Sequence, residues 1–262
     1  MRTSSLAIAG VLAASVAGCS FGPPPAFDAS SVPNAVPQAV TPSKYGNPDS
    51  YVVLGVRYNV LDSSDGYDER GIASWYGPGF DGKRTSSGEV YDMYQMTAAN
   101  KVLPLPTYAR VTNLENHRSV IVKINDRGPF HENRIVDLSY AAAAKLGMLK
   151  KGTALVEVKA VSVGAPPSPD EVAESQPKPA SLPAHPRIYV QVGAFANHMN
   201  ARHMEAKLEL GSVGPVVIQP AMSGGQRVYR VRVGPLANVD AVDQLTRRLS
   251  AIGIDNTQVV IP

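Results

Sequence analysis

Two polar stretches of this sequence place acidic side chains among residues typical of turns. The first follows a Thr-Ser-Ser-Gly run and holds Glu89 and Asp92, and the second reads Asn-Asp-Arg-Gly-Pro and holds Asp126 and Arg127. A carboxyl group set against apolar walls and beside other acids keeps its proton closer to neutral pH, which suits it to protonate a leaving group. The same residues also fit a turn in which Asp126 and Arg127 form a surface ion pair.

The apolar pattern predicts where Asp126 lies. It follows Val120, Val122 and Ile124 with a period of two residues, at which the side chains of a strand share one face. We therefore expect Asp126 to continue an inward-facing row at the rim of a small β-barrel. Arg127 would oppose the retention of a proton if its guanidinium paired with this carboxylate.

The region around these acids consists of short runs of alternating apolar and polar residues, separated by Gly, Pro and Asn turns. This spacing predicts a small β-barrel. One helix interrupts the pattern: Ser139 is suited to cap it, an alanine run forms it, and Gly147 ends it. The predicted strands cover 72–76, 108–113, 120–125, 135–138 and 155–163.

The last part of the chain contains an internal repeat with an offset of 41 positions, so that Gly234 corresponds to Gly193 (234 − 193 = 41). Each copy reads as a strand, a glycine turn, an asparagine suited to cap a helix, and an amphipathic helix followed by a short β segment. The two capping residues are Asn197 and Asn238. The order βαββαβ predicts a ferredoxin-like sandwich with both helices on one face of the sheet.

The opposite face of this predicted sheet carries polar and aromatic side chains. Alternation along the two central strands turns Tyr189, Gln191, Arg230 and Arg232 away from the helices. An aromatic ring beside amide and guanidinium donors suits a polar polymer that bears hydroxyl and acetamido groups. The alternative is an ordinary solvated sheet face.

The N-terminal residues are typical of a bacterial export signal. Met1 and Arg2 precede an apolar stretch over 6–16, small residues follow, and Cys19 comes directly after them. Cys19 is the only cysteine, so a chain in which this thiol is acylated has no internal disulfide and no cysteine-based zinc site. The alternative is an ordinary signal with a buried cysteine. A formal charge of +3 is too small to indicate a nucleic acid partner.

Composition divides the chain into five segments. The leader spans 1–18, and a disordered tether rich in Pro, Ala and Ser spans 19–49. The β-barrel domain covers 50–164, a Pro-rich linker covers 165–186, and the repeat domain covers 187–262.

Two parts of the sequence resemble known families. The repeat region, with Tyr-Val-Gln-Val-Gly-Ala-Phe from Tyr189 and Tyr-Arg-Val-Arg-Val-Gly-Pro from Tyr229, resembles a SPOR domain. The barrel region resembles rare lipoprotein A, a family in which a six-stranded double-psi β-barrel and a SPOR domain follow a lipobox. The motifs that carry this second resemblance are Gly-Ile-Ala-Ser-Trp-Tyr-Gly from Gly71, Ser-Gly-Glu from Ser87, Thr-Ala-Ala from Thr97 and Asn-Asp-Arg-Gly-Pro-Phe from Asn125.

The resemblance to rare lipoprotein A implies a lytic transglycosylase that acts at the division septum. It implies cleavage of denuded, peptide-free peptidoglycan glycan between N-acetylmuramic acid (MurNAc) and N-acetylglucosamine (GlcNAc), which leaves 1,6-anhydroMurNAc ends. It also implies a lipid anchor on Cys19 at the periplasmic face of the outer membrane, and divisome proteins as further partners. This chemistry requires no metal and no cofactor.

The resemblance also assigns roles to residues. It places Glu89, Asp92 and Asp126 on the family's active-site acids. Two positions depart from the family: Asn100 and Asp81 stand where histidines are usual. The other barrel residues expected to contact substrate are Tyr76, Asn100 and Arg127. The residues of the SPOR domain expected to bind glycan are Tyr189, Gln191, Phe195, Arg230 and Arg232.

In the expected mechanism Asp126 protonates the leaving oxygen and then accepts the proton of the MurNAc C6 hydroxyl, which attacks C1. Glu89 and Asp92 orient sugar hydroxyls and stabilise the positive charge that develops. An amide at Asn100 cannot transfer a proton as a histidine would. That departure favours an alternative, a non-catalytic septal scaffold that only binds glycan. A third hypothesis is an expansin-like protein that loosens the wall without cleaving it.

Overall fold

A computed structural model describes residues 28–161 and 186–262 of the chain. The predicted leader over 1–18, the predicted lipidation site Cys19 and all of the predicted linker except Pro186 lie outside these residues. Within the described residues, no helix is both long enough and apolar enough to cross a membrane.

Six strands close into a barrel in the order β3-β7-β4-β6-β5-β8, which confirms the predicted fold of the first domain. A hairpin of β1 and β2 precedes the barrel. The core of the barrel is filled by buried aliphatic side chains from every barrel strand. The strands are β1 Ser50–Val53, β2 Val56–Asn59, β3 Asp68–Trp75, β4 Thr97–Asn100, β5 Thr107–Asn113, β6 Ser119–Asp126, β7 Arg134–Leu138 and β8 Ala154–Ala160.

The barrel has one strand that the alternating pattern does not predict. β4 is four residues long, and all four are buried, so it shows no alternation of polar and apolar residues. It pairs in parallel with β6 on one side and antiparallel with β7 on the other. β4 therefore joins the strands that carry Asp126 and Asp137.

A β-bulge interrupts β6 next to the candidate acid. Ala98 of β4 pairs with Ile124, but Ala99 pairs with Asp126, so that Asn125 has no partner on β4. An extra residue of this kind shifts the alternation of side chains between the two faces. The expected inward orientation of Asp126 is therefore wrong: Asp126 lies in the row of Ala99, not in the row of Ile124.

The predicted helix is present as α1, Tyr140–Lys145, which follows β7 in the chain. Its cap is also confirmed, because the Ser139 hydroxyl accepts a hydrogen bond from the backbone N–H of Ala142 at 3.2 Å. Gly147 follows the helix with φ +76°, a left-handed conformation that glycine adopts without strain.

Residues 28–49, which we call the strap, lie against the barrel. Ala35 donates a backbone hydrogen bond to the Ile121 carbonyl at 3.0 Å, and Lys145 Nζ donates one to the Val32 carbonyl at 2.7 Å. The side chains of Val32 and Ala35 pack on the barrel core. The expectation of a disordered tether thus fails for this part of 19–49, although the strap has almost no regular secondary structure.

The second domain has the predicted βαββαβ order and a four-stranded antiparallel sheet. β9 and β11 are the central strands, as expected, and Asn197 and Asn238 cap the two helices through their side-chain oxygens. The repeat therefore predicts both the topology and the caps correctly. The elements are β9 Ile188–Phe195, α2 His198–Leu210, β10 Val216–Ser223, β11 Gln226–Leu236, α3 Val239–Ala251 and β12 Gln258–Val260, with the sheet order β10-β11-β9-β12.

The two domains are docked against each other. Arg134 of the barrel forms an ion pair with Asp243 of α3 at 2.7 Å, and its side chain is only 7% exposed. Beside it, Asn133 Nδ2 donates a hydrogen bond to the Thr246 hydroxyl at 2.8 Å. Apolar contacts accompany these polar ones, because three barrel residues share the buried cluster of the second domain. Those residues are Ile72, Leu114 and Leu155.

Candidate active site and open sheet face

Four neighbouring strands place polar side chains in one row across the barrel wall. Asp126 of β6 pairs with Ala99 of β4, Ala99 pairs with Asp137 of β7, and Asp137 pairs with Ser74 of β3. Neighbouring strands are about 4.8 Å apart, so the Cα atoms of Asp126 and Asp137 are separated by roughly 10 Å. The residues on either side of Asp137 belong to the barrel core. The row therefore lies on the outer side of the wall, with the small side chain of Ala99 between two carboxyl groups.

Asp126 is held by hydrogen bonds from three neighbouring residues. Its Oδ1 accepts from the Ser86 backbone N–H at 2.8 Å, from the Ser86 hydroxyl at 2.6 Å and from the Arg127 N–H at 2.8 Å. Its Oδ2 accepts from the Tyr76 hydroxyl at 3.2 Å. An ionised carboxylate is an acceptor only, so this set of donors suits it. The donors also fix the orientation of the carboxyl group, because they come from three different segments of the chain.

Asp137 lies in a different environment, and the sequence reasoning did not single it out. Burial raises the pKa of Asp137, and it outweighs the hydrogen bond from Ser74 and the positive charges of Arg134 and Lys101, which lower it. Asp137 thus keeps its proton to a higher pH than an exposed aspartate. A signal for it was present, since Asp137 is the one carboxylate of β7, stands between Val136 and Leu138, and is followed by the capped helix.

Tyr76 is the one predicted substrate-contacting residue of the barrel whose side chain contacts this row, through a hydrogen bond to Asp126. Burial raises its pKa strongly, and the charges of Asp126 and Asp137 raise it further. Its hydroxyl therefore stays protonated and donates to Asp126. The ring packs against Tyr91 at a centroid distance of 4.8 Å and meets the edge of Phe80 at 5.7 Å.

Glu89 and Asp92 form hydrogen bonds with other residues than those that hold Asp126. Burial alone would raise the pKa of Glu89, but hydrogen bonds from Lys123 at 2.6 Å and Asn125 at 3.0 Å lower it below its ordinary value. Asp92 accepts hydrogen bonds within its own turn. In the described parts of the chain, no group of three or more His, Cys, Asp or Glu is placed to hold a metal ion.

The guanidinium of Arg127 contacts the strap, although its backbone N–H donates to Asp126. Its guanidinium donates to the Gly46 carbonyl at 2.8 Å, to Asn47 Oδ1 at 3.0 Å and to the Leu103 carbonyl. Its predicted contact with substrate is therefore not supported, because its donors already bind protein acceptors. The ion pair with Asp126 that the sequence allowed is absent among the contacts of the described residues.

Asn100 is also a structural residue. It is 1% exposed. Its amide nitrogen donates to the Tyr67 hydroxyl and the Ile135 carbonyl, and its amide oxygen accepts from the N–H groups of Val102 and Leu103. The expected contact of Asn100 with substrate is not supported, because its amide is buried and its donors and acceptor already bind protein groups.

Three exposed aromatic rings lie on the segments that contribute to the site. Phe80 is 52% exposed and extends from the buried Tyr76 ring. Tyr94 lies in the turn of Asp92 and is 48% exposed. Tyr45 of the strap is 59% exposed and is close to Gly88, where an added Cβ would lie 3.5 Å from its ring.

The face of the second sheet opposite its helices, which we call the open face, carries the predicted polar group. Arg232 pairs with Gln191 across the central strands, and its guanidinium donates to Gln191 Oε1 at 3.3 Å and to Gln219 Oε1 at 2.8 Å. Burial and the charge of Arg230 lower the pKa of Arg232, whereas Tyr189 raises it. Four of the five residues predicted for this surface therefore share one part of the open face.

Phe195 is the exception. A register shift between Val231 and Arg232 leaves Val192 unpaired on β9, which reverses the alternation beyond it. Phe195 consequently pairs with Tyr229, and both rings pack against the core on the helix side of the sheet. Because of this bulge, the ring of Phe195 does not share the open face with the other predicted glycan-binding residues.

Family models match both domains of the chain. Residues 68–158 match a model described as lytic transglycolase, and residues 184–260 match the SPOR domain model. Together the two matches cover the barrel and the second domain as the structure defines them.

Similar proteins extend over most of the chain. The endolytic peptidoglycan transglycosylase RlpA of Pseudomonas aeruginosa is 38% identical over 284 residues, which covers 90% of this chain and 82% of that protein. The endolytic peptidoglycan transglycosylase RlpA of Vibrio cholerae is 36% identical over 215 residues and covers 82% of this chain and 77% of its own. The crystal structure of the RlpA SPOR domain from Pseudomonas aeruginosa is 33% identical, with a TM-score of 0.28, and covers 29% of this chain and 99% of that chain.

Proposed function

This chain belongs to the RlpA family, whose members carry the name endolytic peptidoglycan transglycosylase, and we propose that it cleaves denuded peptidoglycan glycan between MurNAc and GlcNAc. The observation that carries this proposal is the row in which Asp126 and Asp137 flank Ala99. Two carboxyl groups in contrasting environments are the usual arrangement for acid and base at a glycosidic bond.

The proposed reaction uses both carboxyl groups. Asp137, whose pKa burial raises, protonates the GlcNAc oxygen as its bond to MurNAc C1 breaks. The MurNAc C6 hydroxyl attacks C1 and closes the 1,6-anhydro ring, and its proton passes to Oδ2 of Asp126. Solvent then returns Asp137 to its acid form and Asp126 to its carboxylate form, so the reaction consumes no water and no other reactant.

The remaining acids take supporting roles in this proposal. Glu89 and Asp92 lie outside the row, and Glu89 is already bound to Lys123 and Asn125. They orient sugar hydroxyls at the edge of the site, which accords with the family's assignment of both as active-site acids. Asp126 acting alone as acid and base remains the competing assignment, and Asp137→Asn separates the two.

The choice of peptide-free glycan follows from the open face of the SPOR domain. Removal of the stem peptide leaves a free lactyl carboxylate on each MurNAc, which is the natural partner of an arginine. Arg230 and Arg232 supply that charge, while Gln191 and Tyr189 suit acetamido groups and sugar rings. The exposed rings of Phe80 and Tyr94 offer further stacking surfaces next to the cleavage site.

The site of action in the cell is part of the same proposal. Acylation of Cys19 would hold the chain at the periplasmic face of the outer membrane, and enrichment of denuded glycan would concentrate it at the division septum. Divisome proteins are further candidate partners.

The competing function is a septal scaffold that binds glycan without cleaving it. The argument for it is the missing histidine at Asn100, but that side chain is buried outside the row.

The decisive experiment is digestion of defined denuded glycan by the purified protein, with products separated by chromatography and identified by mass. We expect anhydro-ended fragments from the native protein. Asp126→Asn and Asp137→Asn should each lower the rate by about 10²–10⁴-fold, the usual contribution of a positioned acid or base. Asp62→Asn, at an exposed position outside the site, is the matched control.

Absence of anhydro products from correctly folded native protein would reject cleavage and favour the scaffold. Full activity in Asp137→Asn, with none in Asp126→Asn, would assign both proton transfers to Asp126. In the two-carboxylate mechanism the native rate falls as pH rises through the raised pKa of Asp137, and this fall is lost in Asp137→Asn.

A further inference from the structure

Besides the contacts of Val32 and Ala35 with the barrel, the strap is held by hydrogen bonds from its segment 43–47. Asn47 forms two hydrogen bonds with Leu105: its Oδ1 accepts from the Leu105 N–H at 2.7 Å, and its Nδ2 donates to the Leu105 carbonyl at 2.7 Å. Ser43 adds a hydrogen bond from its N–H to the same carbonyl at 2.8 Å and one from its hydroxyl to the Ser87 carbonyl at 3.0 Å.

This segment also contacts both residues that bind Oδ1 of Asp126. Gly46 lies directly on the backbone of Ser86, because a Cβ added at Gly46 would be 2.8 Å from the Ser86 carbonyl oxygen. Gly46 and Asn47 together accept two hydrogen bonds from the Arg127 guanidinium, at 2.8 and 3.0 Å. Ser86 and Arg127 in turn supply all three donors to that oxygen of Asp126.

We propose that segment 43–47 of the strap is a positioning element of the active site, which holds Ser86 and Arg127 and through them sets the orientation of the Asp126 carboxyl group. The proposal rests on the role of Asp126 in the proposed function. Segment 43–47 binds Ser86 and Arg127 rather than the carboxyl group itself, so its effect passes through the two residues that it holds. The strap, which precedes the barrel in the chain, thereby contributes to the active site.

Gly46→Ala in the full-length protein tests this inference. Gly46 has φ +82°, which is unfavourable for alanine, and the new Cβ would collide with the Ser86 backbone. Gly55→Ala is the matched control: Gly55 has φ +79° in the turn between β1 and β2, with no atom within 4 Å of an added Cβ. Both variants carry the same backbone strain, but only one disturbs Ser86.

We expect kcat of Gly46→Ala to fall by about 10²-fold relative to Gly55→Ala, because a displacement of about 1 Å at a reacting group has that effect. KM should change little, and the pH–rate profile should shift. Asn47→Ala, which removes the acceptor of Arg127 without adding bulk, should act in the same direction. If circular dichroism shows that Gly46→Ala does not fold, Asn47→Ala provides the test in its place.

A second measurement separates this inference from the proposed cleavage. The carboxyl carbon of Asp126 is followed by NMR as pH is varied, in the native protein, Gly46→Ala, Asn47→Ala and Gly55→Ala. A changed titration in the first two variants alone supports the inference even if no glycan is cleaved. Identical titrations and identical rates in all folded variants would overturn it.

Discussion

Two aspartates on neighbouring parts of one wall differ in what surrounds their oxygens. Asp126 receives donors from Ser86, Arg127 and Tyr76, whereas Asp137 accepts a hydrogen bond from Ser74 and has its pKa raised by burial. The two environments differ although the residue type is the same. In the proposed reaction Asp126 accepts a proton and Asp137 donates one.

The raised pKa of Asp137 has a consequence for stability. Because the folded-state pKa lies above the unfolded value, ionisation of Asp137 costs folding free energy, and this cost accumulates as pH rises from the unfolded value through the folded one. Asp137→Asn removes the cost and keeps an acceptor for Ser74. We expect its melting temperature to exceed that of the native protein by a few degrees above that pH window.

In acid the two melting temperatures should converge, since Asp137 is then protonated in both states. Thermal unfolding from pH 3 to pH 8, followed by circular dichroism, measures the difference. The melting temperature of Asp137→Asn should rise relative to that of the native protein between pH 3 and pH 8. A relative fall over this range would contradict the raised pKa of Asp137.

At the scale of single elements, a β-bulge in each domain decides which face of the sheet a side chain occupies. The bulge at Asn125 brings Asp126 into line with Ala99 and Asp137, and the bulge at Val192 turns Phe195 away from the open face. A one-residue change of register moves every later side chain to the other face of a sheet. Neither bulge has a residue signature in the sequence, so the period of two gave the wrong face for Asp126, and the resemblance alone did not reveal that Phe195 turns away from the open face.

The second bulge leads to a prediction about glycan binding. Arg232→Ala should weaken binding of denuded glycan by about 10-fold or more, the effect of losing hydrogen bonds from a charged donor. Phe195→Ala should leave binding unchanged and lower stability instead, by less than the about 3–5 kcal/mol typical of a fully buried phenylalanine. Isothermal titration with denuded glycan and thermal unfolding measure the two effects.

Arg202→Ala on α2 is the control for loss of one positive charge, since this residue lies on the helix side and pairs with Glu205. Equal losses of binding in Arg202→Ala and Arg232→Ala would indicate a nonspecific charge effect. Weakened binding in Phe195→Ala would place its ring at the ligand after all.

On the scale of the whole molecule, the two domains are docked through an ion pair, a hydrogen bond and apolar contacts. The Arg134–Asp243 ion pair is mostly buried, and removing one partner of such a pair leaves an uncompensated charge at a cost of about 3–5 kcal/mol. Separation of the domains would relieve that cost by returning Arg134 to water. Docking thus depends on this pair more than on the hydrogen bond from Asn133.

We therefore expect Asp243→Ala to separate the domains while each remains folded. Small-angle X-ray scattering should show a larger radius of gyration, and limited proteolysis should cut faster between the domains. Asp240→Ala, which removes the same charge from an exposed position of the same helix, should leave both measurements unchanged. A compact Asp243→Ala variant would show that the apolar contacts of Ile72, Leu114 and Leu155 suffice for docking.

Elements with local signals could be predicted from the sequence before any contact was known. The repeat predicts the order βαββαβ and both asparagine caps, alternation predicts five of the six barrel strands, and Ser139 with Gly147 bounds α1. These features depend on residues close together in the chain, so their pattern can be read without knowing what packs against them.

The composition of the site, by contrast, depends on tertiary contacts. β4 lacks any alternation because it is buried on both faces, and it is this strand that places Asp126 and Asp137 in one row. Asn100 and Arg127 look like polar site residues in the sequence, but contacts with distant segments make them structural. Which strands become neighbours, where a bulge falls and which polar group finds a partner depend on residues far apart in the chain, and local patterns carry no record of them.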